Sequence, residues 1–121
     1  MKLVFGILIF LLIISCNSKT EVAESTFWKV SDVTKNEERI AVLLDEQPKI
    51  LNILVKGEVD APFQIMANGL GERKIYDFKK GAIDTTLSDY WKSSVCKTIY
   101  VPKGVKTGDI NISVLLYSKE Q

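Results

Sequence analysis

Apolar residues in this chain recur at every second position, and that period constrains the fold more than any other feature. Ile110, Ile112, Val114 and Leu116 alternate with Asn111, Ser113, Leu115 and Tyr117. Leu51, Ile53 and Val55 alternate with Asn52, Leu54 and Lys56, and Ile40, Val42 and Leu44 do the same, with Leu43 interrupting the polar side. Phe63 with Ile65, Tyr76 with Phe78, and Ile99 with Val101 give shorter examples. A side chain at every second position lies on one face of a strand, and the β-branched residues frequent in these runs suit a half-buried pleated surface.

Turn chemistry falls between the runs: "DEQPK", "KGEVDAP", "NGLGE", "KKG" and "PKGVKTGD" each bring Gly, Pro, Asn or Asp to a break in the alternation. Signals about every ten residues without a long helical pattern predict an all-β domain. It is read as a single antiparallel β-sandwich of roughly seven or eight strands, Ig-like or jelly-roll-like. Two segments depart from the pattern. "TKNEERIAVLLDE" places Thr34 and Glu37 at capping-box spacing, so residues 34–46 admit a helix, although the alternation of Ile40, Val42 and Leu44, with Pro48 soon after, favours a strand from Arg39 to Leu44. "AIDTTLSDYWKSS" lacks apolar alternation and is expected to be a loop or a short helical turn.

The opening segment has another character. Lys2 precedes an uncharged apolar run, Leu3 to Ile14, and polar residues follow from Asn17. Twelve helical residues span about 18 Å, well short of a bilayer's hydrocarbon core of roughly 30 Å, so the run reads as a signal peptide rather than a span. Ile13-Ile14-Ser15-Cys16 resembles the lipobox of bacterial lipoproteins: an aliphatic residue, a tolerant position, a small residue and a cysteine.

The resemblance covers residues 1–16 alone. It implies that the Cys16 thiol receives a diacylglycerol, that cleavage follows Ser15, and that a further fatty acid such as palmitate caps the new amino terminus. The expected organisation is a signal peptide at 1–15, a lipidated Cys16 with a polar tether through residue 25, and a β-sandwich domain at 26–121. A membrane-held protein of the bacterial cell envelope follows. Asn17 stands where an aspartate would resemble an inner-membrane retention signal, which leans the expectation toward the outer membrane.

Charge and chemistry narrow the function classes. The chain carries 16 basic and 15 acidic residues, so no strong field would steer it to nucleic acid. Acids predominate in residues 17–60 and bases in residues 61–121. Arg73, Lys74, Lys79, Lys80, Lys103 and Lys106 would form a basic patch if their loops converged; otherwise they are solvated surface lysines and arginine. The sequence contains no histidine, which removes the commonest general base and metal ligand. Asp77, Asp84 and Asp89 are oxygen ligands in search of a site, but their spacing lacks the dense aspartate pattern of a calcium loop. No catalytic residue, metal site or cofactor is assigned.

With Cys16 lipidated, Cys96 is the one remaining cysteine, and in the strand-like "SVCKTIYV" it reads as a small buried hydrophobe. The candidate ligand-binding residues are aromatic: Tyr90 and Trp91, adjacent in "SDYWKSS", and Trp28 just past the tether. Exposed, they would stack on sugars or anchor a protein partner; buried, each would plug an end of the sandwich. The expected role is a non-catalytic interaction module for a protein or envelope component, with glycan binding through these aromatics as the alternative and a small hydrolase as the least favoured reading.

Overall fold

The computed structural model describes residues 23–44 and 48–118, so the expected signal peptide, Cys16 and most of the expected tether lie outside the described residues. Eight strands follow in order: β1 (Ala23–Lys29), β2 (Glu37–Val42), β3 (Lys49–Val59), β4 (Phe63–Gly69), β5 (Glu72–Phe78), β6 (Gly81–Trp91), β7 (Val95–Pro102) and β8 (Gly108–Ser118). They form two four-stranded sheets, β1-β8-β3-β6 and β2-β7-β4-β5, with every paired neighbour antiparallel. Eight strands in two facing sheets, with most connections crossing from one sheet to the other, make a β-sandwich of the jelly-roll type.

The long strands explain themselves. β3 and β8 run antiparallel over eleven paired positions, from Lys49 opposite Ser118 to Val59 opposite Gly108. Leu51, Ile53 and Val55 thereby share a buried face with Ile110, Ile112, Val114 and Leu116. Phe63, Ile65, Ala67, Cys96 and Tyr100 line the opposing sheet. At about 1.5–3 kcal/mol for each fully buried large apolar side chain, this inter-sheet layer is the main driving force for the fold. Glycine permits the closest backbone approach: a Cβ on Gly57 would lie 2.0 Å from the Asp109 carbonyl oxygen, and one on Gly108 2.2 Å from that of Glu58.

Several expectations are corrected. The "AIDTTLSDYW" stretch is strand β6, not a loop or helical turn. Its inward positions are Ile83, Thr85, Leu87, Asp89 and Trp91; two of the five are polar because β6 is an edge bordering a cleft, and this hid the alternation. Strand β1 begins at Ala23, inside the expected tether, because Glu24 and Ser25 pair through their backbones with Leu116 and Leu115 while their side chains face solvent.

Residues 37–42 are strand, as the alternation favoured, but on the other face: Ala41 and Leu43 are buried, and Ile40, Val42 and Leu44 are exposed. Glu37 and Arg39 take the inward positions. The Glu37 carboxylate accepts hydrogen bonds from Ser31 N, Ser31 Oγ and Asp32 N at 2.7–2.9 Å, and the Arg39 guanidinium lies 5.1 Å from the centre of the Trp28 ring. In β7, likewise, Cys96, Thr98 and Tyr100 face inward, and Ile99 and Val101 do not. The Tyr100 hydroxyl donates to the Val33 carbonyl at 2.7 Å and so finds its partner while the ring fills the core.

The sandwich has two distinct ends. Connections 30–36, 60–62, 79–80 and 103–107 lie together at one, where Asp60 Oδ1 accepts from the backbone N–H groups of Lys106 and Thr107. Residues 43–44 and 48 and connections 70–71 and 92–94 lie at the other, together with the start of β1.

Candidate functional site

The two long sides of the sandwich differ. On one, β1 and β2 close together: Trp28 is buried between them under Arg39, with Val30 and Val33 beside it. On the other, the free edges of β5 and β6 part around an open cleft of about 870 Å³. Its walls come from β5, β6 and the Lys79-Lys80 link, which carries the chain from one sheet to the other.

The cleft has an apolar floor and a polar rim. Tyr76 and Phe78 reach in from β5, and Ile83 and Leu87 from β6. Phe78 is held by stacking on Phe63, ring centres 4.7 Å apart and planes 2° from parallel. Lys79, Lys80, Asp77 and Asp84 surround the opening, and Thr85 faces in between Ile83 and Leu87. At the end nearer the start of β5, the Tyr76 hydroxyl donates to Asp89 Oδ2 at 3.0 Å, and Lys74 Nζ lies 3.5 Å from Asp89 Oδ1.

Burial, the hydrogen bond to Asp89 and the Asp89 charge all hold the Tyr76 phenol well above its ordinary range, so it remains a neutral donor. The group fixes the two edges relative to each other. It offers no nucleophile. Asp77 is occupied in turn, accepting from Gln64 Nε2 at 2.8 Å, and among the described residues no acidic or cysteine cluster is arranged to hold a metal ion.

The aromatic candidates separate. Trp91 is fully buried, and its Nε1 donates to the Val95 carbonyl at 3.1 Å. Trp28 is buried under Arg39. Neither ring offers a stacking surface. Tyr90 does face solvent, because alternation along β6 turns it to the outer sheet face while Trp91 enters the core. The aromatics that line the cleft are Tyr76 and Phe78, whose alternation was legible but whose position at the mouth of a cleft was not. Cys96 is buried beside Thr98, Sγ to Oγ1 3.7 Å, and burial pushes its thiol up to about 11. That environment suits a core residue and not a reactive one.

The basic residues divide as well. Lys79, Lys80, Lys103 and Lys106 gather with Lys35 at the end carrying connections 30–36 and 103–107, whereas Arg73 and Lys74 sit at the opposite end of β5.

No protein-family model matches the chain, and no curated protein does. Solved structures do. PRD1 vertex protein P5 superposes with a TM-score of 0.58 over 84% of this chain and 98% of that chain, at 10% identity. A Bacillus endospore appendage protein gives 0.46 over 82% and 88%, at 14% identity. The first likeness establishes a shared β-sandwich architecture. At such low identity it establishes the fold alone.

Proposed function

We propose that this chain is a non-catalytic binding module of a bacterial cell envelope, lipid-anchored through Cys16, which receives a protein or envelope component in the β5–β6 cleft. The observation that carries the reading is the asymmetry of the sandwich. One long side is sealed by Trp28 and Arg39, and the other is held open around half-buried aromatics with a mixed polar rim. Concave sites with an apolar floor and a few directed polar groups are the usual seats for ligands.

A non-catalytic role is supported by the chemistry of the groups present. The chain has no histidine, its Cys96 thiol is buried and shifted away from reactivity, and the Tyr76–Asp89–Lys74 group is internally satisfied. The lipobox pattern and the absence of aspartate at position 17 support a membrane-held protein, outer membrane ahead of inner.

Glycan binding is the second reading, and it moves from Trp91 to the cleft. Tyr76 and Phe78 supply aromatic surface there, and Asp77, Asp84 and Thr85 supply hydrogen-bonding groups for sugar hydroxyls.

A photo-crosslinking amino acid at Thr85, inside the cleft, is expected to trap a discrete partner from intact cells. The same probe at Glu38, on the exposed surface of β2, should not. Adducts that are absent at Thr85, or equal at both positions, would overturn the cleft as the binding site, and the mass and protease sensitivity of the adduct separate a protein partner from a glycan.

A further inference from the structure

Phe27, Ile40, Val42 and Ile75 are exposed along strands β1, β2 and β5, but the large apolar side chains exposed on connections and at strand ends are unevenly placed. Leu44 is 84% exposed, Leu70 76% and Tyr90 67%, and all three lie at the end of the sandwich where β1 begins. Leu70 occupies the tip of the tight β4–β5 turn, a position that normally carries a polar residue. Leu44 follows β2, and Tyr90 is the next-to-last residue of β6.

The 92–94 connection ties these elements together. Leu43 N donates to the Ser94 carbonyl at 2.8 Å, Leu70 N donates to Ser93 Oγ at 2.9 Å, and Tyr90 lies two residues before Lys92. Glu72 Oε1 accepts from Lys92 N and Ser93 N at 2.8–2.9 Å, which fixes the connection. The three apolar groups are thus presented from a braced surface. Lys35, Lys79, Lys80, Lys103 and Lys106 occupy the far end, where no large apolar side chain is exposed on a connection.

We propose that the end bearing Leu44, Leu70 and Tyr90 seats on the lipid surface to which the chain is anchored, leaving the lysine-bearing end and the Lys79–Lys80 mouth of the cleft directed away from it. The inference rests on the reading of Cys16 as the lipid attachment point. Six residues lie between Cys16 and Ala23, so the seven Cα-to-Cα steps of the tether reach at most about 25 Å. An eleven-residue strand is about 37 Å long. A domain longer than its tether meets the surface with the end from which the tether leaves, and that end carries the exposed leucines.

Leucine side chains enter the boundary between headgroups and acyl chains, and tyrosine is favoured at that level. Two leucines and a tyrosine offer too little area for a stable contact with a second copy, which needs on the order of 800 Å² on each partner. The bilayer makes no such demand, because the acyl anchor already holds the domain beside it.

The full lipidated chain suits a direct test, since Cys96 is buried and Cys16 is blocked by its acyl chains. An environment-sensitive fluorophore is placed on Leu70→Cys, on Leu44→Cys and, at the far end, on Lys80→Cys. Each protein is reconstituted into vesicles of phosphatidylethanolamine and phosphatidylglycerol containing a headgroup-spin-labelled phospholipid. Quenching at positions 70 and 44 is expected to exceed that at 80 several-fold and to be independent of protein density. Equal quenching at the three positions, in protein that remains vesicle-bound, overturns the seat and leaves the anchor standing. A signal at 70 that vanishes on dilution of the protein in the membrane assigns this end to a second copy and overturns the seat equally. Failure of the chain to bind vesicles, or to take up labelled fatty acid, removes the anchor itself and the inference with it.

Discussion

The indole of Trp91 lies against the backbone of Gly69: a Cβ at position 69 would sit 2.7 Å from Trp91 Cζ2 and 2.7 Å from Ser93 Cβ. The last residue of β4 and the last residue of β6, in different sheets, therefore close one end of the sandwich against each other. Gly69→Ala should cost about 1–3 kcal/mol of stability, the usual penalty of overpacking a rigid site. Trp91→Phe removes the crowded atom along with the Nε1 bond to Val95, so a double-mutant cycle read by urea denaturation should show the Gly69→Ala penalty shrinking in the Trp91→Phe background. Equal penalties in both backgrounds would show that the ring does not set the requirement for glycine.

Adjacent Tyr90 and Trp91 should behave as opposites. Trp91→Ala empties a fully buried site and is expected to cost about 3–5 kcal/mol, a large share of the ~5–15 kcal/mol typical of a whole domain. Tyr90→Ala touches a mostly exposed side chain and should stay within about 0.5 kcal/mol. Thermal melts of the two variants check the assignment, and similar losses in both would contradict the strand register of β6.

Cys16→Ser should leave an unprocessed precursor that takes up no labelled palmitate and is lost from the lipid-anchored fraction. Normal processing of that variant would end the lipoprotein reading. Cys96 should meanwhile resist a thiol reagent at mildly alkaline pH, because burial shields its thiol and pushes its pKa up to about 11. Rapid labelling is expected only after denaturation, and labelling of the folded chain would place Cys96 at the surface.

Acid should act first on the lysine-bearing end. Hydrogen bonds from the Lys106 and Thr107 N–H groups lower the Asp60 pKa below its ordinary 3.8. At Glu37 burial opposes ionisation, yet the bonds from Ser31 and Asp32 prevail and the pKa falls below its ordinary 4.5. A carboxylate with a lowered folded-state pKa contributes its stability in full above the unfolded value and loses it as the pH falls through the folded one. Melting temperature should therefore decline on acidification from about pH 6 to about pH 3, and Glu37→Gln with Asp60→Asn should flatten that decline. An unchanged slope would show that other carboxylates govern the acid response.

The alternation of Leu51 to Val55 and of Ile110 to Leu116, punctuated by turn residues, was sufficient to specify a β-sandwich. Those strands lie in the middle of a sheet with one face wholly buried, so composition and position coincide residue by residue. The same pattern misled at the edges. Ile40 and Val42 in β2, and Leu44 just after it, are the large apolar residues of that segment's alternation, yet the fold turns them outward. Glu37 finds partners in Ser31 and Asp32, which the β1–β2 connection folds back onto it, and Arg39 finds one in Trp28 across the gap between the sheets. β6 escaped notice because two of its inward positions are polar: Thr85 lines a cleft, and Asp89 is held by Tyr76 and Lys74. Local sequence thus determined which segments are strands in the centre of the sheets, and tertiary packing decided the inward face of each edge strand. Only packing could decide that Trp91 is buried, that Tyr76 and Phe78 border open space, and that the exposed leucines share an end with the start of β1, because each depends on which edges meet when two sheets close over one core.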